Sequence, residues 1–148
     1  MNLFEIEHIL LDIKVDSKET LFDLISEKLE KLHRITSKDS FKYALLNREK
    51  EISTAVGDGF AIPHAKDISV LFPTLLYIRL SSPLSYDAFD QKDVNHIFAI
   101  AMPNTYHKEH LALLSKIALF LLEEKNKKLI NTSKDLNDLD LMIKNFLK

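Results

Sequence analysis

Apolar residues recur every three to four positions in two stretches of the first third of the chain. This period predicts a helix over residues 16–33, where Asp16 and Glu19 have the spacing of a capping box. Ser37 is placed to cap a second helix, and Arg48 lies one turn beyond its apolar face. The apolar positions of the two helices are Leu21, Leu24, Ile25, Leu29 and Leu32, and then Phe41, Ala44 and Leu45.

Short stretches rich in Ile, Leu, Val and Phe predict strands in the first and middle parts of the chain. Residues 94–102 are almost all apolar, which is typical of a central strand covered on both faces. The polar segment that precedes them contains Pro83 and predicts a loop. The other strand candidates are residues 9–15, a strand, tight turn and short strand over residues 51–65, and residues 73–80.

Helical spacing returns after the last strand candidate. One helix is predicted over residues 106–124, with an apolar face of Leu111, Leu114, Ala118 and Leu121. A last helix is predicted from about Asp135, and its apolar stripe is Leu136, Leu139, Ile143 and Phe146. Long helices around three or four strands, in a non-alternating order, predict an α+β fold, an α/β/α sandwich whose mixed β-sheet is flanked by helices. No repeat or linker divides the sequence, so residues 1–148 are expected to form a single domain.

The composition narrows the class of protein. Of the 148 residues, 46% are hydrophobic and 28% charged, the balance of a soluble globular protein. No apolar run approaches the roughly 20 residues of a membrane span, and no signal peptide is recognisable, so a cytoplasmic protein is expected. The absence of cysteine excludes disulfides and thiolate metal sites. A net charge of −2 gives no support for nucleic-acid binding.

Both glycines of the chain, Gly57 and Gly59, precede His64 closely. Gly57 can adopt positive φ, and Gly59 allows another backbone to approach. Pro63 restricts the backbone directly before the histidine. The pattern predicts that His64 is held at a strand end or turn, where reactive groups are common, although a turn that merely needs glycines is the alternative.

The other histidines divide into two groups. His8 and His33 lie in charged segments and are expected to be exposed, whereas His96 is expected to be a buried structural residue. His107 and His110 share one face at the start of a predicted helix. They could hold a metal together with His64, but a helix amino terminus favours an anion over a cation.

Two motifs identify a family. "LLNREKEISTAVGDGFAIPHA" and the later "MPNTYHKEHLALLSKIA" resemble the IIA domain of the fructose/mannitol family of the bacterial phosphotransferase system. Phe60 departs from the family signature, which has an aliphatic residue there, and is expected to change the bulk beside the histidine. The signature positions are filled by Glu49, Val56, Gly57, Ala61, Ile62, Pro63, His64 and Ala65.

The resemblance implies a phosphotransferase with a phosphohistidine intermediate and no metal or other cofactor. His64 matches the phosphorylated histidine, His110 the second active-site histidine, and Arg48 an arginine that holds the phosphoryl group. The role of His107 stays open. The implied donor is the phosphocarrier HPr or a relative, and the implied fold is an α/β sandwich with a mixed sheet.

Two functions within the family remain. The nitrogen-regulatory branch binds target proteins according to its phosphorylation state, and "REKEIST" with "SYDAFD" favours that branch. The alternative is a fructose/mannitol-type transport protein that passes phosphate to a separate IIB component. Outside the family, a structural module that is never phosphorylated is the competing interpretation.

Overall fold

Six strands form one mixed sheet. The computed structural model describes residues 1–148, and its sheet has the order β1-β5-β6-β3-β2, with β4 also paired to β6. β6 is antiparallel to β5 and parallel to β3 and β4, and β1 is parallel to β5. The strands are β1 (Ile9–Ile13), β2 (Ala55–Gly57), β3 (Phe60–Ala61), β4 (His64–Asp67), β5 (Thr74–Leu84) and β6 (Val94–Pro103).

Helices cover both faces of this sheet. Because successive strand residues point to opposite faces, β5 sends Leu76 and Ile78 into one apolar core and Leu75 and Tyr77 into the other. The first core also contains α1 (Lys18–Lys31) and α2 (Lys38–Glu51), and the second contains α3 (His107–Leu122), α4 (Glu124–Thr132) and α5 (Leu136–Leu147). The predicted α/β/α sandwich with a mixed sheet and the buried central strand β6 are confirmed.

The first helix begins one residue later than a capping box at Asp16 requires. Ser17 is the N-cap, and its hydroxyl accepts a hydrogen bond from the Thr20 N–H at 3.0 Å. The Asp16 carboxylate instead accepts from the Thr20 hydroxyl at 3.1 Å. The capping box predicted for Asp16 and Glu19 is therefore wrong, because the neighbouring serine supplies the cap oxygen. Ser37 caps α2 as expected.

The predicted buried face of α3 is also wrong in part. Leu111 is 65% exposed and Ala118 is exposed, whereas Leu113 and Ile117 are buried. Apolar residues occur on nearly every side of this helix, so their spacing alone does not select the face that packs on the sheet. Leu111 borders a surface cleft instead.

Two element boundaries differ from the sequence prediction. The helix ends at Leu122, since Glu123 adopts extended backbone (ψ 122°), and the polar segment after it forms α4, whose single buried side chain is Ile130. β5 continues through Pro83 to Leu84, where a loop was predicted. The proline is tolerated because the pairing with β6 is irregular at this end of the strand.

His8 is fully buried, contrary to the prediction of an exposed side chain. Its Nδ1–H donates to the Leu75 carbonyl at 3.0 Å, and its Nε2 accepts from Arg34 at 3.4 Å. Burial, and then the charge of Arg34, lowers the pKa of His8. The charged sequence neighbours gave no sign of this arrangement because both partners are distant along the chain.

None of the helices is both long and apolar enough to cross a bilayer.

Candidate active site

Three elements meet at an open cleft of about 460 Å³. The last turn of α2 contributes Arg48, the start of β4 contributes His64, and the first turn of α3 contributes His110. These are the three residues expected from the sequence to act together, and the fold brings all of them to one cleft.

Backbone hydrogen bonds on both sides hold the segment that carries His64. The Pro63 carbonyl accepts from the Ile100 N–H at 3.0 Å, and His64 then pairs with Ile100 as β4 joins β6. On the preceding side, the Ile62 N–H donates to the Thr54 carbonyl at 2.9 Å. His64 therefore lies at a strand end fixed to the central strand, as predicted.

The two glycines form the turn between β2 and β3. Gly57 and Gly59 have φ of +94° and +86°, in the region that side chains rarely adopt. A Cβ on Gly59 would lie 2.9 Å from the Asn95 Oδ1 but 3.6 Å from the Asp93 carbonyl oxygen, so the close approach is to a side chain and not, as was expected, to another backbone. Between them, the Asp58 carboxylate binds Lys92 and Lys127 at 3.2 and 2.6 Å. The turn is thus tied to the neighbouring loop and to α4.

The imidazole of His64 has a defined tautomer. Its Nδ1 lies 2.6 Å from the Ile62 carbonyl oxygen, which can only accept, so Nδ1 carries the proton and donates it. Burial lowers the pKa of His64, although the hydrogen bond to the Ile62 carbonyl opposes this effect. The ring is therefore neutral near pH 7, and its Nε2 keeps a lone pair for nucleophilic attack.

His110 faces His64 across the cleft. The ring centroids are 5.0 Å apart with an angle of 49° between the planes. The His110 ring is buried, and its Nδ1 has no hydrogen-bond partner within the chain. Burial, followed by the charges of His64 and Lys66, lowers the pKa of His110 to about 4. His110 is thus a neutral, poorly solvated ring that can gain a hydrogen bond and a proton when an anion enters the cleft.

Arg48 supplies the fixed positive charge of the site. Its Nη1 donates to the Ile52 carbonyl at 2.9 Å, and its Nε lies 3.9 Å from the Glu51 carboxylate. The carbonyl contact orients the planar guanidinium, whose remaining N–H groups can bind phosphate oxygens. The site therefore combines a neutral imidazole that has a free Nε2 lone pair with a cation and a second imidazole.

Lys66 also lines the cleft, although no sequence motif indicated it. It lies two residues after His64 on β4, so alternation along the strand places both residues on the same side, and both line the cleft. Its Nζ donates to the His107 Nδ1 at 2.7 Å. His107 therefore contacts Lys66 at the edge of the site. The metal site considered for His64, His107 and His110 is not formed, because no group of three potential metal ligands occurs in the structure.

Phe60 packs on His96 and is not part of the cleft that His64 lines. Phe60 and His64 point to the same face of the sheet, since their partners His96 and Ile100 are four residues apart on β6, but the buried Phe60 ring stacks on His96 with centroids 4.5 Å apart. The change of bulk expected beside His64 falls beside His96 instead. His96 is buried as predicted, with its ring nitrogens bonded to the Tyr77 hydroxyl at 2.7 Å and to the Asn131 Oδ1 at 2.9 Å.

Comparison with known proteins identifies relatives of two kinds. The family model described as "Phosphoenolpyruvate-dependent sugar phosphotransferase system, EIIA 2" matches residues 2–146. The fructose-specific EIIABC component of Bacillus subtilis is 33% identical over 80% of this chain, and the chain spans only 19% of that protein. A nitrogen regulatory protein of Klebsiella oxytoca is 34% identical over 76% of this chain and 69% of its own length.

Solved structures share the fold. The nitrogen regulatory protein IIA-Ntr of Neisseria meningitidis superposes with a TM-score of 0.88 at 32% identity, over 95% of each chain. The Escherichia coli enzyme IIA for mannitol, solved in complex with phosphorylated enzyme IIB, gives a TM-score of 0.77 at 21% identity. That match covers 95% of this chain and 96% of the other, and at this identity it supports the fold alone.

Proposed function

Since the chain belongs to the EIIA 2 family of the phosphoenolpyruvate-dependent sugar phosphotransferase system, we propose that it is a phosphoryl-relay protein that accepts a phosphoryl group on His64. The observation that carries this proposal is the hydrogen bond from His64 Nδ1 to the Ile62 carbonyl. It leaves Nε2 as the nucleophilic atom in a cleft that also holds Arg48 and His110.

The reaction follows from this tautomer. The Nε2 lone pair of His64 attacks phosphorus, and the bond between phosphorus and the donor's histidine nitrogen breaks as that ring takes back its electron pair. The Nδ1 proton of His64 stays in its bond to the Ile62 carbonyl, so the new phosphoimidazole carries a positive ring. In the next transfer this ring leaves as neutral imidazole. Because the leaving imidazole is neutral, the phosphoryl group transfers readily to the next acceptor.

Arg48 and His110 stabilise the negative charge of the phosphoryl group during transfer. Its three equatorial oxygens share the negative charge in the transition state, so positioned donors matter more than further covalent chemistry. Arg48 offers guanidinium N–H groups, and His110 offers a ring N–H from the opposite wall of the cleft. This division makes His64 the nucleophile and the other two residues electrostatic partners.

The partners are proposed by analogy with the relatives. The donor is an HPr-like phosphocarrier, and residues 1–148 act as one EIIA domain. The chain acts as a nitrogen-regulatory-type IIA that binds target proteins according to the phosphorylation of His64. The named relatives that support this choice are the nitrogen regulatory proteins of Klebsiella oxytoca and Neisseria meningitidis, the latter with a TM-score of 0.88.

A second candidate is a transport component. The Bacillus subtilis relative, a fructose-specific EIIABC component, supports a function in which phosphate passes from this chain to a IIB domain. Incubation of the phosphorylated chain with a purified fructose-type IIB domain separates the two. Rapid loss of phosphate to IIB favours transport, whereas retention of phosphate together with phosphorylation-dependent capture of a target favours regulation.

Reconstitution tests the relay itself. The chain is incubated with phosphoenolpyruvate, enzyme I and HPr, and its intact mass is measured. The wild type should gain one phosphoryl group, and the His64→Ala variant should gain none. Equal labelling of both proteins, or no labelling of the wild type, would refute the proposal.

A further inference from the structure

A buried carboxylate lies directly after Arg48 in α2 and belongs to none of the roles described above. The Glu49 side chain is only 7% exposed. Its Oε2 accepts from the Thr54 backbone N–H at 2.8 Å and from the Lys18 Nζ at 3.1 Å. Its Oε1 accepts from the Thr54 hydroxyl at 2.7 Å and from the Tyr86 hydroxyl at 3.3 Å. Four donors therefore saturate this carboxylate.

Glu49 holds Thr54 by both of its donors. The backbone N–H and the side-chain hydroxyl of Thr54 bind different oxygens of the same carboxylate, which fixes the position and the direction of this residue. Tyr86 closes the arrangement from the loop after β5, since its hydroxyl also lies 2.9 Å from the Thr54 hydroxyl. The ammonium of Lys18 lies 4.3 Å from the centre of the Tyr86 ring and covers it.

Thr54 in turn holds the residue that sets the tautomer of His64. The Thr54 carbonyl accepts from the Ile62 N–H at 2.9 Å, and the Ile62 carbonyl accepts from His64 Nδ1 at 2.6 Å. Pro63, which follows Ile62, has no N–H with which to anchor this segment. The Ile62 N–H is thus a direct tie between the segment before His64 and the Glu49–Thr54 pair.

We propose that Glu49 is a positioning residue for phosphoryl transfer, acting through the chain of hydrogen bonds Glu49–Thr54–Ile62–His64. Glu49 does not touch the phosphoryl group. It fixes the Ile62 carbonyl, the carbonyl keeps the proton on His64 Nδ1, and Nε2 is thereby kept free for attack. The inference rests on the proposed function of His64, but the tautomer that it predicts exists without any phosphoryl group.

A glutamine can keep the Thr54 clamp, whereas a leucine cannot. The glutamine carbonyl can accept from the Thr54 backbone N–H and Lys18, while its amide N–H atoms donate to the hydroxyl oxygens of Thr54 and Tyr86. The Glu49→Gln variant therefore removes the charge and keeps the clamp. Leucine accepts no hydrogen bond, so Glu49→Leu removes both bonds of the clamp with little change of volume.

The test measures the protonation of the two His64 ring nitrogens and the rate of phosphoryl transfer in the same proteins. In the unphosphorylated wild type at pH 7.5, nitrogen-15 shifts of His64 should show Nδ1 protonated and Nε2 unprotonated. In Glu49→Leu the two shifts should converge as the tautomers mix, whereas Glu49→Gln, which can keep the clamp, should retain the wild-type shifts. In Glu49→Leu the maximal rate of phosphoryl transfer from HPr should fall by up to about a hundredfold, the effect of displacing a reacting group by about 1 Å. The half-saturating HPr concentration should not change, because Glu49 is buried.

Matched variants separate positioning from simple loss of charge or stability. Glu19→Gln removes an equally charged but exposed carboxylate on α1 and should leave the tautomer and the rate at wild-type values. Thr54→Val keeps the backbone N–H and removes the hydroxyl, and Thr54→Ser restores it, so the first should mix the tautomers and the second should not. If Glu49→Leu does not fold, this threonine pair carries the test.

The outcomes are decisive. An unchanged tautomer in both Glu49→Leu and Thr54→Val would overturn the proposal, and so would mixed tautomers with an unchanged transfer rate. A slower rate with the wild-type tautomer would also overturn it. Failure of the wild type to accept phosphate would refute the proposed function instead, while the tautomer would still report whether Glu49 sets the His64 ring.

Discussion

Phosphorylation of His64 should raise the proton affinity of His110 by about two orders of magnitude. In the unphosphorylated protein, burial lowers the pKa of His110 to about 4, and electrostatic repulsion from His64 and Lys66 adds to this effect. The two rings are 5.0 Å apart. At that distance one unit of negative charge stabilises a protonated imidazole by about 3 kcal/mol when the effective dielectric constant is about 20. This energy corresponds to a rise of more than about a hundredfold in proton affinity.

Nuclear magnetic resonance titration measures this effect directly. The ring signals of His110 are followed against pH in the free chain and in the chain phosphorylated through HPr. We expect the midpoint to move towards neutral pH after phosphorylation, because the phosphoryl charge opposes the cations that surround the ring. The ring signals of His33, which is exposed and lies outside the cleft, are the internal control and should not differ between the two forms. An unchanged His110 midpoint would show that the phosphoryl group is not held against this ring.

Three further predictions follow from the same geometry. Arg48→Lys should slow phosphoryl transfer from HPr about tenfold or more in a rapid-quench assay, because an ammonium cannot reproduce the planar donors of the guanidinium; a wild-type rate would remove Arg48 from the site. Gly59→Ala should lower the free energy of unfolding by about 1–3 kcal/mol in urea, because its φ is +86° and its Cβ would lie 2.9 Å from the Asn95 Oδ1; unchanged stability would contradict this. Folding lowers the pKa of His110 from 6.5 to about 4, so the unfolded chain binds this proton more tightly than the folded chain does. The free energy of unfolding is therefore highest above pH 6.5 and should decrease as the pH falls towards 4. The loss should reach up to about 3 kcal/mol, and His110→Asn should show a shallower fall; identical slopes would mean that His110 is not the group responsible.

The sequence predicts a helix or strand correctly where its local residue pattern agrees with the way that element packs in the structure. β6 is recognisable because nearly every residue is apolar, and α2 because Ser37 and the apolar face agree. α4 is not recognisable, because a polar segment becomes helical around a single buried side chain, Ile130. His8 is missed for a related reason, since its burial depends on Leu75 and Arg34, which are distant in sequence.

The candidate site is predictable to a similar extent. The motif around His64 and the later "HL" at His110 mark two of its walls, and both lie where they were expected. Lys66 could have been found from strand alternation with His64. The connection of Glu49 to His64 could not, because it passes through Thr54 and Ile62, and no spacing in the sequence reveals which backbone groups will pair.

The most direct test of the account is the identity of the phosphorylated atom. The chain labelled with nitrogen-15 in histidine is phosphorylated through HPr, and the coupling between phosphorus and the ring nitrogens is measured. We predict a single phosphohistidine at His64, with phosphorus bonded to Nε2 and the proton retained on Nδ1. Phosphorus on His64 Nδ1, or on His110, would contradict the account.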